Sequence, residues 1–293
     1  MKHLYKIIIC AFFLAQGVLC KAQLLYEISG NASAAKSYIL ATNRLTDMTF
    51  IDTIPNVFKC YSRCTRVITE FVMEDFEALS ALRQAAVLPD SVRLRSFYTE
   101  DEYTRLDEAL RLTLDMGFDQ LCRMKPAYLT EMYRTELLKR FLHYDDARSM
   151  ETFFERVAQE NGTPVIGLDD IGETMYMLFD REPFHWQCTE LLKVVDTPEE
   201  ELRLERTLRT MYLNGRLSDM AYLIEGPDNK TSLSYSDYQV FCQRNQQWVK
   251  RLNPYLKDGH CFITLNALYL GGDKGLLAQL RTAGYKVKPV NRK

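Results

Sequence analysis

The stretch HCFITLNALYLGGDKGLLAQLRTAGYKVKPV, residues 260–290, decides the fold of this 293-residue chain. An apolar strand comes first, followed by a loop at Gly271 and Gly272, an amphipathic helix and a second apolar strand. Glycines between two periodic segments are typical of loops, and a strand, a helix and a strand in succession form a βαβ unit. The sequence therefore predicts that the chain closes with a βαβ unit in a sheet.

Further strands are predicted at the start and in the middle of the chain. LLYEISG (24–30) and SYILATN (37–43) flank a short polar turn, which is typical of a β-hairpin. RVITEFV (66–72) is rich in β-branched residues, and TPVIGLDD (163–170) is an apolar run that ends in acids. Because a hairpin is marginally stable alone, we expect the hairpin and the closing unit to lie side by side in one sheet.

The middle of the chain is predicted to be helical. Apolar residues recur with a period of about 3.6 residues, as in EDFEALSALRQAA (74–86) and METFFERVAQEN (150–161). Thr99 and Glu102 have the spacing of a helix capping box. The sequence therefore predicts an α/β fold. Its mixed β-sheet is built from the N-terminal hairpin, the central strands and the C-terminal βαβ unit, and it has a large helical middle section.

The first residues have the layout of a secretory signal peptide. Two lysines precede the apolar run IIICAFFLAQGVLC, and the small residues Cys20 and Ala22 fit a cleavage site. The alternative is an uncleaved membrane anchor, but the run is shorter than the ~20 residues that span a bilayer. We therefore expect residues 1–22 to be removed and residues 23–293 to form a single exported domain. Its location is periplasmic or extracellular, with membrane association left open.

Charge and hydropathy argue against several classes of partner. The chain carries 37 basic and 39 acidic residues, for a formal net charge of −2. Loss of residues 1–22, which contain three lysines, makes it more acidic. A mildly acidic chain is not typical of a nucleic-acid-binding protein, and no later segment is long and apolar enough to span a membrane. We expect an unidentified protein or peptide as the partner.

The cysteines do not predict a metal ribbon. Six of them follow the predicted signal peptide: Cys60, Cys64, Cys122, Cys188, Cys242 and Cys261. Export to an oxidising compartment permits disulfides, but the sequence does not choose among the many pairings. Because the cysteines are scattered and form no C-x-x-C motif, a zinc ribbon is not expected.

Four blocks of the sequence follow the order of landmarks in a known family. They are LLYEISGNASAAKSYILATNRL (24–45), VITEF (67–71), METFFERVAQENGTPVIGLDDIGET (150–174) and the closing block that begins at Arg244. Together they resemble the TraB/GumN family, which includes the TIKI-type metalloproteases. The resemblance implies a metal-dependent peptidase activity whose metal site depends on two Gly-x-x-His motifs, each at the end of a strand.

The chain departs from this family at the residues that carry its chemistry. The first motif reads ATNR and the second NALY, so Arg44 and Tyr269 stand where the family has histidines. Arginine cannot ligate a metal because it does not deprotonate in a protein, and tyrosine is a poor ligand for zinc or manganese. Asp169 replaces a glutamate of the family, whereas Glu70 and Arg244 match. We therefore expect the family's metal to be lost and no cofactor to be bound.

Arg44 is predicted to take the place of the metal ion. Glu70 and Asp169 would otherwise be buried acids that face each other, which is costly without a cation. A guanidinium can pair with a carboxylate through two parallel hydrogen bonds, and we expect Tyr269 to donate its hydroxyl to the same cluster. With Arg244, these residues would line a remnant cleft. The alternative is that Arg44 turns out to solvent.

No motif of the sequence predicts another catalytic centre. The chain has no G-x-S-x-G motif, and GGDKG (271–275) lacks the Gly-Lys-Ser/Thr ending of a phosphate loop. A new metal site could be built only from histidines that are widely spaced and outside the family motifs: His143, His185 and His260. A lone histidine is more often a packed or surface residue than a ligand.

The sequence therefore predicts an exported protein of the TraB/GumN type that lacks catalysis and acts as a binding or regulatory module. The alternative is a divergent metal-dependent peptidase or hydrolase with a non-standard site. A purely structural surface protein is a third possibility, and a missing cleft would distinguish it. A fold match alone does not establish an activity, so the decision depends on the site.

Overall fold

The computed structural model of the chain describes residues 23–44, 46–72, 76–143, 150–225 and 235–291. The predicted signal peptide, residues 1–22, lies outside these ranges. The strands within them are β1 (Leu25–Gly30), β2 (Ser37–Thr42), β3 (Arg66–Thr69), β4 (Val165–Gly167), β5 (Cys261–Asn266) and β6 (Tyr285–Pro289). The predicted hairpin, the two central strands and the two strands of the closing unit are all confirmed.

These strands form one mixed sheet in the order β4-β3-β5-β2-β1-β6. β4, β3, β5 and β2 run parallel, and β1 is antiparallel to both of its neighbours. β2 and β5 are adjacent, with Thr42 beside Asn266. The hairpin and the closing unit therefore lie side by side, as predicted, and the two motif strands reach the same edge of the sheet.

Helices fill the long connections between the strands. In the described ranges they are α1 (Val57–Tyr61), α2 (Phe76–Ala85), α3 (Glu100–Leu114), α4 (Phe118–Leu121), α5 (Pro126–Leu142), α6 (Met150–Glu160), α7 (Ile171–Met175), α8 (Phe184–Asp196), α9 (Pro198–Leu213), α10 (Leu217–Glu225), α11 (Tyr235–Asp258) and α12 (Leu276–Thr282). A π-helical turn (Tyr176–Asp180) follows α7. None of the helices described is both long enough and apolar enough to cross a membrane.

The local helix signals of the sequence are confirmed. The Thr99 hydroxyl accepts a hydrogen bond from the Glu102 N–H at 3.3 Å, and the Glu102 carboxylate accepts one from the Thr99 N–H at 2.8 Å. This capping box begins α3. Gly162, with a φ of +66°, follows the end of α6 in the left-handed conformation that glycine adopts without strain.

The closing βαβ unit is split across the sheet. β6 pairs with β1 rather than with β5, so β2 and β1 lie between the two strands of the unit. The loop before α12 passes very close to the start of α10. A Cβ atom on Gly271 would lie 2.0 Å from the carbonyl oxygen of Leu217, so this close approach requires glycine.

Two hydrophobic cores stabilise the described residues. One lies against the sheet and includes the fully buried side chains of Trp248, Phe154 and Phe262. The other lies among α3, α5 and α8, where Leu110, Leu129 and Leu191 are fully buried. The predicted helical middle section therefore has a core of its own. We call α3, α5 and α8, the helices that surround this core, the helical body.

The six described cysteines are free thiols. Cys60 and Cys64 lie in and just after α1, and Cys261 begins β5. Burial raises the pKa of Cys64 to about 12, so this thiol is protonated at neutral pH. A protonated, buried thiol is a weak nucleophile, which fits a packing role for this residue.

Candidate functional site

The carboxyl ends of the parallel strands place the predicted site residues along one edge of the sheet. In spatial order, β4 ends at Gly167, β3 at Thr69, β5 at Asn266 and β2 at Thr42. In open α/β sheets, ligands bind outside these carboxyl ends because the connecting loops converge there. The segments that follow the four strands therefore build the candidate site.

Glu70 and Asp169 follow two adjacent strands and lie side by side. The Asp169 N–H donates to the carbonyl oxygen of Glu70 at 2.8 Å, which extends the pairing of β3 and β4 beyond their last residues. The Asn266 N–H donates to the Glu70 carboxylate at 2.8 Å. The Asp169 side chain is 4% exposed and that of Glu70 is 24% exposed. Two acids held this close need a cation nearby.

Arg244 of α11 provides this cation. Its Nε donates to the Asp169 carboxylate at 2.6 Å, and a terminal nitrogen lies 3.4 Å from the Glu70 carboxylate. The same nitrogen donates to the Tyr269 hydroxyl. Burial alone would lower the pKa of Arg244, but Tyr269 and the two acids outweigh it and raise the pKa. The guanidinium is therefore a permanent cation between the acids.

Other donors also bind Asp169, so both of its carboxylate oxygens are occupied. The Trp248 indole N–H donates to Oδ1 at 2.7 Å, and Arg251 donates to the same oxygen at 3.2 Å. Oδ2 accepts from Arg244. Arg251 also donates to Glu173 at 2.6 Å, and these hydrogen bonds lower the pKa of Glu173. We call the group formed by Glu70, Asp169, Glu173, Arg244, Trp248 and Arg251 the polar cluster. Hydrogen bonds within this group occupy both carboxylate oxygens of Asp169.

Tyr269 joins this polar cluster as an aromatic wall and a hydrogen-bond acceptor. Its ring centre lies 4.8 Å from that of Trp248 and 4.9 Å from that of Phe241. Burial and the nearby Glu70 raise the pKa of the Tyr269 hydroxyl, so the group is neutral at pH 7. We expected this hydroxyl to donate to the cluster, and in the structure it accepts from Arg244.

Arg44 lies beyond the end of β2 and outside the polar cluster. Its guanidinium lies 3.5 Å from the Glu131 carboxylate of α5, and its side chain is 38% exposed. The arginine that pairs with both acids in the structure is Arg244, whereas the ion pair that the structure shows for Arg44 is with Glu131.

A second network of charges surrounds Arg44. Its partner Glu131 also accepts from Arg134 at 3.0 Å, and Arg134 donates to Glu190 of α8 at 2.6 Å and to Glu201 of α9 at 2.9 Å. Burial raises the pKa of Glu131, but Arg134 and Arg44 outweigh burial and lower it. This network attaches the end of β2 to the helical body.

An open cleft of about 520 Å³ adjoins Arg44. Its walls come mainly from α2, α5 and the π-helical turn, and their apolar side chains include Leu79, Leu82, Tyr128, Met132, Leu178 and Phe179. Of the predicted site residues that the structure describes, Arg44 lines this cleft, whereas Asp169 and Arg244 lie in the polar cluster. The predicted remnant cleft therefore corresponds to two features, a closed polar cluster and an open apolar cleft.

Several residues of these features were not predicted from the sequence. Trp248 and Arg251 follow Arg244 by four and seven residues on α11, a spacing that places all three on one helical face. This spacing is a signal that could have identified both partners of Asp169. The side chains that line the cleft belong to ordinary amphipathic patterns, which predict a core face as readily as a binding face.

The residues at this edge do not fit a divalent metal ion. Such a site needs several ligands that converge with defined geometry, and no three His, Cys, Asp or Glu side chains in the described ranges converge in this way. The three histidines considered above lie after α5, on α8 and before β5: His143, His185 and His260. Both carboxylate oxygens of Asp169 are already bonded.

Comparison with known proteins identifies the family of the chain. The sequence profile described as the TraB/PrgY/gumN family matches residues 24–289. Comparisons with curated proteins and with solved structures give no significant match. Because the family profile extends over nearly the whole described chain, from β1 to the last residue of β6, the chain belongs to the TraB/PrgY/gumN family.

Proposed function

We propose that this protein is an exported, catalytically inactive member of its family that acts as a binding or regulatory module. One observation carries the proposal. Arg44 and Tyr269 stand in place of the two motif histidines; the Arg44 guanidinium lies 3.5 Å from the Glu131 carboxylate, and the Tyr269 hydroxyl accepts a hydrogen bond from Arg244. Neither side chain replaces imidazole as a ligand for a divalent metal ion, which supports the loss of metal-dependent chemistry.

The hydrogen bonds at the edge of the sheet support this loss. Both carboxylate oxygens of Asp169 are already bonded, one to Arg244 and the other to Trp248 and Arg251. Because Arg244 matches the family, the decisive change lies in Arg44 and Tyr269, which offer no imidazole nitrogen to a metal ion.

The cleft supports the binding role. Its volume of about 520 Å³ falls in the range of small-molecule sites, ~300–1,000 Å³. It opens beside Arg44, at the carboxyl edge of the parallel strands where α/β proteins bind their ligands. A cleft of this kind argues against a purely structural protein, which has no need of one.

Elemental analysis of the purified protein tests the loss of the metal. After expression with added manganese, cobalt and zinc, we expect far less than one equivalent of any of them. We also expect no cleavage of a mixed peptide library that these metals stimulate. Stoichiometric metal together with metal-dependent cleavage would establish the alternative, a divergent peptidase.

A double variant provides the matched control for this experiment. Arg44→His with Tyr269→His restores both motif histidines and keeps Arg244, which matches the family. We expect this variant to retain more metal than the unaltered protein, because it regains imidazole ligands. The two single variants, which restore one histidine each, should retain less metal than the double variant.

Export to the periplasm or the extracellular space is the remaining part of the proposal. The pattern in residues 1–22 supports it, with an apolar run between lysines and a small-residue site. N-terminal sequencing of the protein recovered outside the cytoplasm tests it, and we expect the product to begin at Gln23. A product that stays in the cytoplasm with Met1 in place would overturn it.

A further inference from the structure

We propose that the cleft beside Arg44 binds a small amphiphile with an apolar chain and a single carboxylate. The inference rests on the proposed function, because it names the class of ligand for a cleft that otherwise has only a general binding role. The argument uses three properties of the cleft: its apolar walls, its charges and its size.

The apolar walls suit a hydrocarbon chain. Leu79 and Leu82 of α2 line the cleft together with Met132 of α5 and Leu178 of the π-helical turn. No side chain of α2 is fully buried, and Leu178 is 46% exposed. Apolar side chains that stay open to water gain free energy when an apolar ligand covers them.

The charges around the cleft favour an anionic head group. Both acids that line the cleft have cations beside them: Glu131 lies 3.5 Å from Arg44, and Glu136 lies 3.7 Å from Lys139. Arg83 is exposed on α2 and makes no ion pair with any residue that the structure describes. A carboxylate in the cleft would therefore find a guanidinium that no acid of the described ranges already holds.

The size of the cleft favours a small molecule over a protein segment. Its volume of about 520 Å³ is that of a small-molecule site. A stable protein partner needs a broad contact surface instead, roughly 800 Å² on each side. The lining contains three cations and two acids, so a cationic ligand would be disfavoured: Arg44, Arg83, Lys139, Glu131 and Glu136. A carboxylate with one hydrocarbon chain fits the volume of the cleft, its apolar walls and its charges together.

Calorimetric titration of the unaltered protein with dodecanoate, below its micelle concentration and at low salt, tests the inference. We expect saturable binding with one site. In the series octanoate, decanoate and dodecanoate, each added CH₂ should strengthen binding about fourfold. Dodecanol and dodecyltrimethylammonium should bind about tenfold more weakly, because neither brings a carboxylate to Arg83.

Variants of the cleft test separately how the head group of the ligand and its hydrocarbon chain contribute to binding. Arg83→Gln should weaken dodecanoate about tenfold and leave dodecanol unchanged, since the chain contacts remain. Met132→Gln should weaken both probes, because it places a polar group in the apolar wall. The matched control is Arg156→Gln on α6, another exposed arginine without an ion pair in the described ranges, and it should bind dodecanoate normally.

Four results would overturn the inference. The first three are no saturable dodecanoate binding, equal binding of the cationic probe, and the same loss in Arg156→Gln as in Arg83→Gln. The fourth is a dimer that Met132→Gln dissociates, because it would put a second copy in the cleft. Metal content and peptidase activity, measured on the same preparation, report on the proposed function alone, so the two failures are distinguishable.

Discussion

Arg244 and Arg44 lie at the same edge of the sheet in opposite surroundings. The Arg244 side chain is 14% exposed and contacts both Asp169 and Glu70, whereas that of Arg44 is 38% exposed, pairs with Glu131 and opens onto the cleft. The difference arises because Arg244 of α11 reaches Asp169 and Glu70, which follow β4 and β3, while β2 ends two strands away from β3. The position of Arg44 in a sequence motif therefore does not make it the arginine between Asp169 and Glu70. The arrangement of the strands and of α11 puts Arg244 there.

Removal of the inner arginine should have the largest effect. Arg244→Met removes the cation that pairs with both Asp169 and Glu70 and leaves Asp169 with Arg251 at 3.2 Å; loss of one partner of a mostly buried pair lowers the free energy of unfolding by about 3 kcal/mol. Urea unfolding at neutral pH measures the change. A variant as stable as the unaltered protein would show that the two acids do not depend on this cation, and the contrast between the two arginines would disappear.

Removal of the indole donor should have an intermediate effect. Trp248→Phe keeps an aromatic ring in the core but loses the N–H that donates to Asp169 at 2.7 Å. A hydrogen bond to a charged group contributes roughly 1.5–3 kcal/mol, so we expect a loss of about 2 kcal/mol in urea unfolding.

Part of this loss comes from the smaller ring, and a double-mutant cycle removes that part. On an Asp169→Asn background, Trp248→Phe should cost less, because the carboxylate that receives the N–H is gone. Equal costs on both backgrounds would mean that packing alone explains the change. In that case the indole would not belong to the polar cluster.

The strands and helix ends could be predicted because their signals are local. The β-branched run before Glu70, the glycines before α12 and the Thr99 capping box each act within a few residues. The placement of Glu70, Asp169 and Tyr269 at one strand edge also follows from the family order of the blocks. These features need no knowledge of which strands are neighbours.

The role of Arg244 and the cleft could not be predicted because they depend on distant parts of the chain. Arg244 reaches Asp169 across 75 positions of sequence, and Arg44 pairs with Glu131 of α5, which is also distant in sequence. The cleft arises where α2, α5 and the π-helical turn meet, although none of them carries a distinctive motif. Pair contacts between such distant segments leave no periodic trace in a single sequence.

Removal of the outer arginine should have little effect on stability. Arg44→Met breaks one half-exposed ion pair, which is worth less than about 1 kcal/mol, and Glu131 keeps its hydrogen bond to Arg134 at 3.0 Å. The urea midpoint should therefore stay close to that of the unaltered protein. A loss as large as that of Arg244→Met would mean that the network around Arg44 supports the fold as strongly as the polar cluster does.

The smallest expected effect is the pH dependence of the ion pair between Arg251 and Glu173, at the rim of the polar cluster. Hydrogen bonds from Arg251 hold the pKa of Glu173 below its ordinary value of 4.5. A carboxyl group whose pKa is lower in the folded protein adds stability above the unfolded pKa. That stability is lost as the pH falls through the folded pKa. Because both side chains are 35% exposed, the contribution should stay below about 1 kcal/mol.

Glu173→Gln isolates this contribution, since glutamine can still accept the N–H of Asp170 in the capping box of α7. Near neutral pH the unaltered protein should be slightly more stable than the variant, and the gap should close as the pH falls below the ordinary pKa of 4.5 and Glu173 takes up its proton. A gap that is independent of pH would mean that Arg251 binds Glu173 without favouring its charged form. The contrast with Arg44 would then rest on the contacts of Asp169 with Arg244 and Trp248, and not on the charge of Glu173.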